Sequence, residues 1–198
     1  MLKQISFEDG NIFLTNYQTI VVTVNCVGVM GKGIALLAKH FSPDAYKYYR
    51  GLCEKDEMHM GEPVLYDKPS KTLQGPGKEY IKLLLFPTKQ HWKMPGDIVS
   101  IEKGLQWLVD NYEKCGIKSL AMPALGCGNG GLNWKDVGPL LYKYLGKMNI
   151  PVEIYYPPGT PEKYLDVEFL LTEPPKITDY YEMVSKHSSV NQHGKFTL

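Results

Sequence analysis

A chain of 198 residues, 43% hydrophobic and 22% charged, is long enough for one domain with a sizeable core and has an ordinary globular composition. Its formal net charge of +1 excludes the global electrostatic footprint of a nucleic-acid binder, though not a local patch. No run approaches a membrane span and the first residues lack a signal-like apolar stretch, so a cytoplasmic monomer without membrane contact is expected. The four cysteines, Cys26, Cys53, Cys115 and Cys127, show no CxxC spacing, and the five histidines supply no matching pair. Reduced thiols, no metal and no cofactor are the expectation.

In chain order, residues 3–7 and 20–24 read as strands, and residues 33–41 as a helix with Ile34, Leu37 and Ala38 on one face. Residues 44–53 make a second helix after the start signal Ser42-Pro43. The turn-rich basic stretch 68–78 joins two strands, the second of which, 80–86, has an almost continuous apolar face. Helical spacing follows at Ile98, Ile101, Leu105, Leu108, Val109 and Tyr112, then a buried strand at 118–122. Trp134, Val137, Leu140, Leu141, Tyr144 and Leu145 repeat the helical period, and residues 152–156 close with a strand. Alternating strands and helices imply an α/β fold, a three-layer α/β/α sandwich. Proline richness from Pro157 marks a boundary: residues 1–156 form the domain, and 157–198 an extension. That extension is partly helical (161–171), with a polar, mobile end from 185 to 198.

Two glycine-rich loops carry the chemistry: Asn25-Cys26-Val27-Gly28-Val29-Met30-Gly31-Lys32-Gly33 and Gly126-Cys127-Gly128-Asn129-Gly130-Gly131. Each follows a buried strand and precedes a helix, the arrangement in which close backbone approach and free N–H groups cradle phosphate. Two such loops could grip the two phosphates of one dinucleotide-like ligand. Neither is a familiar nucleotide motif: Gly28-x-x-Gly31-x-Gly33 reverses the Rossmann spacing, and Lys32 lacks the following Ser/Thr of a P-loop. Both loops fall beyond the carboxyl ends of strands, where α/β sheets bind ligands. Asn25 either contacts a ribose hydroxyl or caps the turn. Phe86-Pro87-Thr88-Lys89-Gln90-His91-Trp92 brings a lysine, a histidine and a tryptophan to the same rim. Lys89 is either a solvated charge or, with its pKa lowered by burial, an amine nucleophile for an aldehyde-like sugar carbon. Trp92 either stacks on a base or packs on the core. Nucleophilic catalysis by Cys127 has no histidine nearby in sequence and is set aside.

Gly10-Asn11-Ile12, the strand into Asn25, Gly31-Lys32-Gly33-Ile34-Ala35 and Pro123-Ala124-Leu125-Gly126-Cys127-Gly128 together resemble a macro domain. The first loop continued to Leu36, Phe86-Pro87-Thr88-Lys89 with His91-Trp92, and the second loop continued to Trp134 resemble one branch of it. This is the DNA ADP-ribosyl glycohydrolases, the DarG-type antitoxin macro domains, related to the lysine-dependent terminal ADP-ribose glycohydrolases. The resemblance covers residues 1–156. It implies a macro fold with a mixed central sheet, and ADP-ribose held with its diphosphate between the glycine loops. It also implies removal of ADP-ribose from thymidine in single-stranded DNA, reversing a DNA ADP-ribosyltransferase toxin that is a candidate partner.

By motif position, Lys89 matches the catalytic lysine and Asn25 the asparagine near the distal ribose. His91 is a candidate acid for the departing base, from proximity alone. The expected ADP-ribose contacts are Asn11, Ile12, Asn25, Gly31, Lys32, Gly33, Ile34, Pro123, Leu125, Gly126, Cys127, Gly128, Asn129 and Gly130. Two departures stand out: the adenine-contacting aspartate is here Asn11, and the second-loop aspartate of the terminal glycohydrolases falls at Gly130. Asn11 can still accept from an amino group through its carbonyl oxygen. The alternatives are a non-catalytic ADP-ribose reader, or a hydrolase of protein-linked ADP-ribose or of ADP-ribose 1″-phosphate. A DNA strand would use the rim Lys89, His91, Trp92 and Lys93, with Lys68, Lys71 and Lys78 of the basic loop as further candidates.

Overall fold

Period-two alternation along the central strands decides the architecture. The computed structural model describes residues 5–69 and 80–173. Strands β1 (Ile5–Glu8), β2 (Thr19–Asn25), β3 (Val64–Tyr66), β4 (Lys82–Lys89), β5 (Leu120–Pro123) and β6 (Val152–Tyr155) form one sheet in the order β1-β6-β5-β2-β4-β3. All neighbours are parallel except β3, which runs antiparallel to β4. The sheet is therefore mixed, as expected. Successive side chains of a strand point to opposite faces. Ile20, Val22, Val24, Leu83 and Leu85 accordingly join one core cluster, while Val21, Leu84 and Phe86 join the other.

Helices α1 (Gly33–Phe41) and α2 (Pro43–Glu54) cover the first face through Ala35, Ala38, Ala45 and Tyr49. Helices α3 (Ile98–Asn111) and α4 (Trp134–Leu145) cover the second through Ile101, Leu105, Leu108, Val137, Leu141 and Leu145. Burying each such aliphatic side chain stabilises the fold by roughly 1.5–3 kcal/mol against leaving it exposed. The three layers follow from strands that are apolar on both faces.

Three elements refine the sequence expectation. The strand expected to end at Phe86 runs on to Lys89, through Pro87. The proline is tolerated because β3 pairs only Leu83, Leu84 and Leu85, leaving that side of β4 open at residue 87. Strand β3 is three residues long and too short to show a period. Finally, residues 161–171 form a 3₁₀ turn, Glu162–Tyr164, and a single helical turn α5, Val167–Leu170. This segment packs on α4: Leu170 is buried in the second core cluster and Trp134 Nε1 donates to the Tyr164 carbonyl at 2.9 Å. Most of the basic loop, including Lys71 and Lys78, and the stretch 185–198 lie outside the described residues. No helix among the described residues is long and apolar enough to cross a membrane.

Candidate active site

The first loop is built by Asn25. Its side-chain oxygen accepts from the backbone N–H groups of Val27 at 3.0 Å and Val29 at 3.3 Å, and its amide donates to the Val29 carbonyl at 2.7 Å. The Tyr49 hydroxyl rises from α2 to donate to the Asn25 carbonyl at 2.7 Å, and it also lies 3.1 Å from the side-chain oxygen. Asn25 is 6% exposed and Tyr49 fully buried. Of the two roles considered for Asn25, the structure shows the turn cap; its second amide N–H has no acceptor among the described residues. Burial pushes the Tyr49 phenol well above its ordinary value, so it stays a donor. Beyond the loop, α1 starts with Lys32 at its N-cap and no side-chain cap. The N–H groups of Gly31, Lys32, Gly33 and Ile34 find no acceptor among the described residues.

The second loop is closed by its own backbone. Leu132 N–H donates to Gly126 at 3.0 Å, Gly131 to Gly128 at 3.0 Å, and Cys127 to Ala124 at 3.1 Å. A Cβ on Gly130 would run into the Gly126 carbonyl, so only glycine closes this turn. The N–H groups of Gly128, Asn129 and Gly130 are left without an acceptor among the described residues. The two loops meet at Gly33, whose φ is +57°: a Cβ there would come within 3.1 Å of Asn129 Nδ2. Two sets of free N–H groups thus border one cleft, which is what an anion with two phosphates requires.

Lys89 ends β4 between the loops. Its register partner on β2 is Asn25, and the N–H of the following Cys26 donates to Gln90 at 3.1 Å. Lys89 Nζ donates to the Asn129 carbonyl at 2.7 Å, tying the strand end to the second loop. Partial burial lowers the Lys89 pKa from its ordinary value. Asp97, the N-cap of α3, steadies the same strand end. Its carboxylate accepts from Val99 N–H at 3.1 Å and Ser100 Oγ at 2.6 Å, while its own N–H donates to Thr88 at 2.9 Å. Asp97 and Tyr49 carry no motif of their own and were not singled out in the sequence; an Asp before an apolar period is the one signal that could have found the first.

Not every expected contact sits the same way. Asn11 is exposed and caps the short Ile12–Leu14 turn, accepting from Phe13 N–H at 3.0 Å. Ile12 is 7% exposed and Leu125 fully buried, so their side chains belong to the core and Leu125 can reach a ligand only by its backbone. Pro123 and Ile34 are half-buried at the cleft edge of β5 and α1. The Cys127 thiol donates to Leu125 at 3.8 Å; burial, with the Asp136 charge behind it, pushes its pKa up to about 12. A thiol held protonated is no nucleophile. His91 Nδ1 accepts from Lys93 N–H at 3.3 Å, and its ring lies 5.4 Å from that of Trp92. Trp92 is 49% exposed, so it is not a core residue, and Lys93 Nζ sits 5.1 Å from its ring centre. Among the described residues no cluster of His, Cys, Asp or Glu could hold a metal ion.

The macro domain family model matches residues 21–141, the span holding both loops and Lys89. Over 182 residues the chain is 46% identical to a DNA ADP-ribosyl transferase–DNA ADP-ribosyl glycohydrolase fusion protein of Thermosipho africanus, covering 86% of this chain and 47% of that protein. A DNA ADP-ribosyl glycohydrolase of Thermus aquaticus is 35% identical, covering 87% of this chain and 46% of its own length. The chain therefore spans about half the length of the curated relatives it matches. Among solved structures, Thermosipho africanus DarTG in complex with ADP-ribose superposes with a TM-score of 0.80 at 47% identity, over 85% of this chain and 46% of that one. The macrodomain of Mycobacterium tuberculosis DarG superposes at 0.71 and 35% identity, over 79% of this chain and 99% of that one. The chain belongs to the macro domain family, alongside the macrodomains of DarG.

Proposed function

We propose that this chain binds ADP-ribose between its two glycine loops and removes it from ADP-ribosylated thymidine in single-stranded DNA. The observation that carries the reading is Lys89, a partly buried amine held at 2.7 Å on the second loop's Asn129 carbonyl and paired in register with Asn25 of the first. The names of the curated relatives and the ADP-ribose in the Thermosipho africanus structure support the same ligand and bond. That relative joins a transferase to a glycohydrolase in one chain, which supports a DNA ADP-ribosyltransferase toxin as this chain's counterpart.

The chemistry needs a neutral amine. One N–H of Lys89 is spent on Asn129, which aims Nζ and leaves its lone pair free for C1″ of the distal ribose. The new C1″–N bond forms as the bond from C1″ to the base nitrogen breaks, and the electron pair leaves with the base. The base then takes a proton, for which His91 is the candidate donor. Water then attacks C1″ as the C1″–Nζ bond breaks; the electron pair stays on Lys89, the water's proton returns to His91, and ADP-ribose is released. Fixing the diphosphate between two sets of N–H groups supplies orientation, worth as much as ~7–11 kcal/mol at its upper end. Asn25 acts by shaping the loop and, through its remaining N–H, on a ribose hydroxyl.

The test is an oligonucleotide carrying one ADP-ribosylated thymidine, incubated with wild type and with Lys89→Ala. Release of ADP-ribose by the wild type, lost in the variant while ADP-ribose binding persists, is the expected result. Binding without release from this substrate would make the chain a reader or direct it to another linkage. Full activity in the variant would remove the lysine mechanism.

A further inference from the structure

Against the first loop, on its α2 side, lies a cavity of about 350 Å³ that shares only Gly31 with the anion-facing N–H groups. Its near wall is the loop itself, Val27 to Gly31; its far wall is Lys39 of α1 with Tyr46 and Arg50 of α2. The volume falls in the range of small-molecule sites, about 300–1,000 Å³. Its lining holds two cations and no carboxylate. Lys39 Nζ stands 4.4 Å from the centre of the Tyr46 ring, so an aromatic face and a positive charge already share the space. The Arg50 Cγ lies 3.7 Å from where a Gly28 Cβ would be, so the arginine stem packs against the loop. Val27 and Val29, 42% and 39% exposed, form an apolar lip.

The nearby acids do not neutralise the pocket. Glu54 accepts from Arg50 Nη2 at 2.8 Å, but both side chains are more than half exposed, so the pair contributes little and exchanges readily. Asp44 lies 3.5 Å from Lys47 instead. Arginine offers five donors, so the bond to Glu54 leaves most of its fork free. Two cations with an aromatic ring and an apolar lip match a nucleotide: phosphate on the charges, base on the ring.

The pocket is also close to the reacting position. Neighbouring strands are ~4.8 Å apart and each residue spans at most ~3.6 Å. Asn25 pairs with Lys89, and Val27 is two residues further on. Val27, the edge of the near wall, therefore stands within roughly 12 Å of the Lys89 backbone. We propose that this cavity seats a nucleotide of the DNA strand beside the modified thymidine, with Arg50 and Lys39 on its phosphate and Tyr46 against its base. The assignment rests on the DNA reading of the active site and names the part of that substrate the catalytic cleft leaves unbound.

The experiment compares two substrates, a single-stranded oligonucleotide with one ADP-ribosylated thymidine and the ADP-ribosylated thymidine mononucleotide. Wild type, Arg50→Gln and Tyr46→Ala are assayed on both; Arg50 is exposed, and glutamine creates no like charge beside Glu54. For Arg50→Gln the expected result is a KM for the oligonucleotide raised about tenfold, the worth of one charge-assisted bond, with kcat within twofold and the mononucleotide unaffected. The slope of log affinity against log salt should shrink by about 0.7, the value for one phosphate contact on a single strand. Equal loss on both substrates, or none on either, would overturn the assignment. Free thymidine monophosphate competing as well as an unmodified oligonucleotide would overturn the strand as occupant. If wild type cleaves neither substrate, the proposed reaction fails; fluorescence anisotropy of the unmodified oligonucleotide then judges the pocket alone, and equal binding by wild type and Arg50→Gln counts against it.

Discussion

Asn25 stands opposite Lys89 across β2 and β4 although the preceding Val24 stands opposite Pro87, so the register skips Thr88. Such an irregularity re-aims a side chain at the end of a ladder. Here Thr88 is buried at 2% exposure, its carbonyl accepts from Asp97, and Lys89 is turned to the second loop. The skip is what sets Lys89 opposite the loop-building asparagine across the two strands.

If Lys89 reacts as a neutral amine, kcat rises with pH. Its pKa is lowered by burial, so the rising limb has its midpoint below the ordinary lysine value of ~10.4. The profile is best measured in His91→Gln, which removes the candidate proton donor. A kcat that falls steadily between about pH 6 and pH 9 in that variant would contradict the neutral amine.

Tyr49→Phe keeps the ring and deletes the hydroxyl that supports Asn25. A buried carbonyl then loses its donor, which costs about 1–3 kcal/mol. For a chain of this size each kcal/mol lowers Tm by roughly 2–4 °C. Thermal unfolding checks the first effect, and calorimetry with ADP-ribose checks a several-fold weaker affinity as the loop loosens. An unchanged Tm would show that Tyr49 is not the anchor.

Gly130→Ala forces the second loop open, because the new Cβ meets the Gly126 carbonyl and no side chain can yield there. ADP-ribose affinity should fall at least tenfold, about 1.4 kcal/mol, with the sheet intact by circular dichroism. Wild-type affinity in this variant would mean the loop's closed backbone is not needed for the ligand.

Cys127→Ala should turn over substrate within about threefold of wild type, since its thiol, held up at about 12, is a half-buried donor to Leu125. A loss of a hundredfold or more would return the cysteine to the mechanism.

Leu170→Ala tests whether the segment after the last strand is part of the folded unit. Leu170 is 1% exposed against the α4 side of the core, so its truncation should cost ~2–5 kcal/mol. Denaturant unfolding measures it; a cost below ~0.5 kcal/mol would mean the segment only rests on the surface.

Much of this protein is determined by local pattern. Strand and helix periods located all three layers, though not the bounds of β3, because a helix with an apolar stripe and a strand apolar on both faces can satisfy themselves only by stacking. Both glycine loops were legible because close turns and free N–H groups demand residues without a Cβ, which a sequence shows directly. Lys89 was legible as a candidate through its neighbours at a strand end, though read three residues beyond the strand and not as its last member.

Tertiary structure decided what backbone atoms and long-range partners do. The acceptor for Lys89 is the carbonyl of Asn129, and a carbonyl looks the same in every residue. The support for Asn25 is Tyr49, 24 residues away on another layer, read from sequence as one more helix residue. Arg50 and Tyr46 line a pocket with the first loop only because α2 packs beneath it, and their spacing on the helix carries no trace of that neighbour. The sequence alone determines which residues can bond and which must be buried; only the packed chain determines which bond reaches which atom, because that depends on distances between segments that the order of residues does not encode.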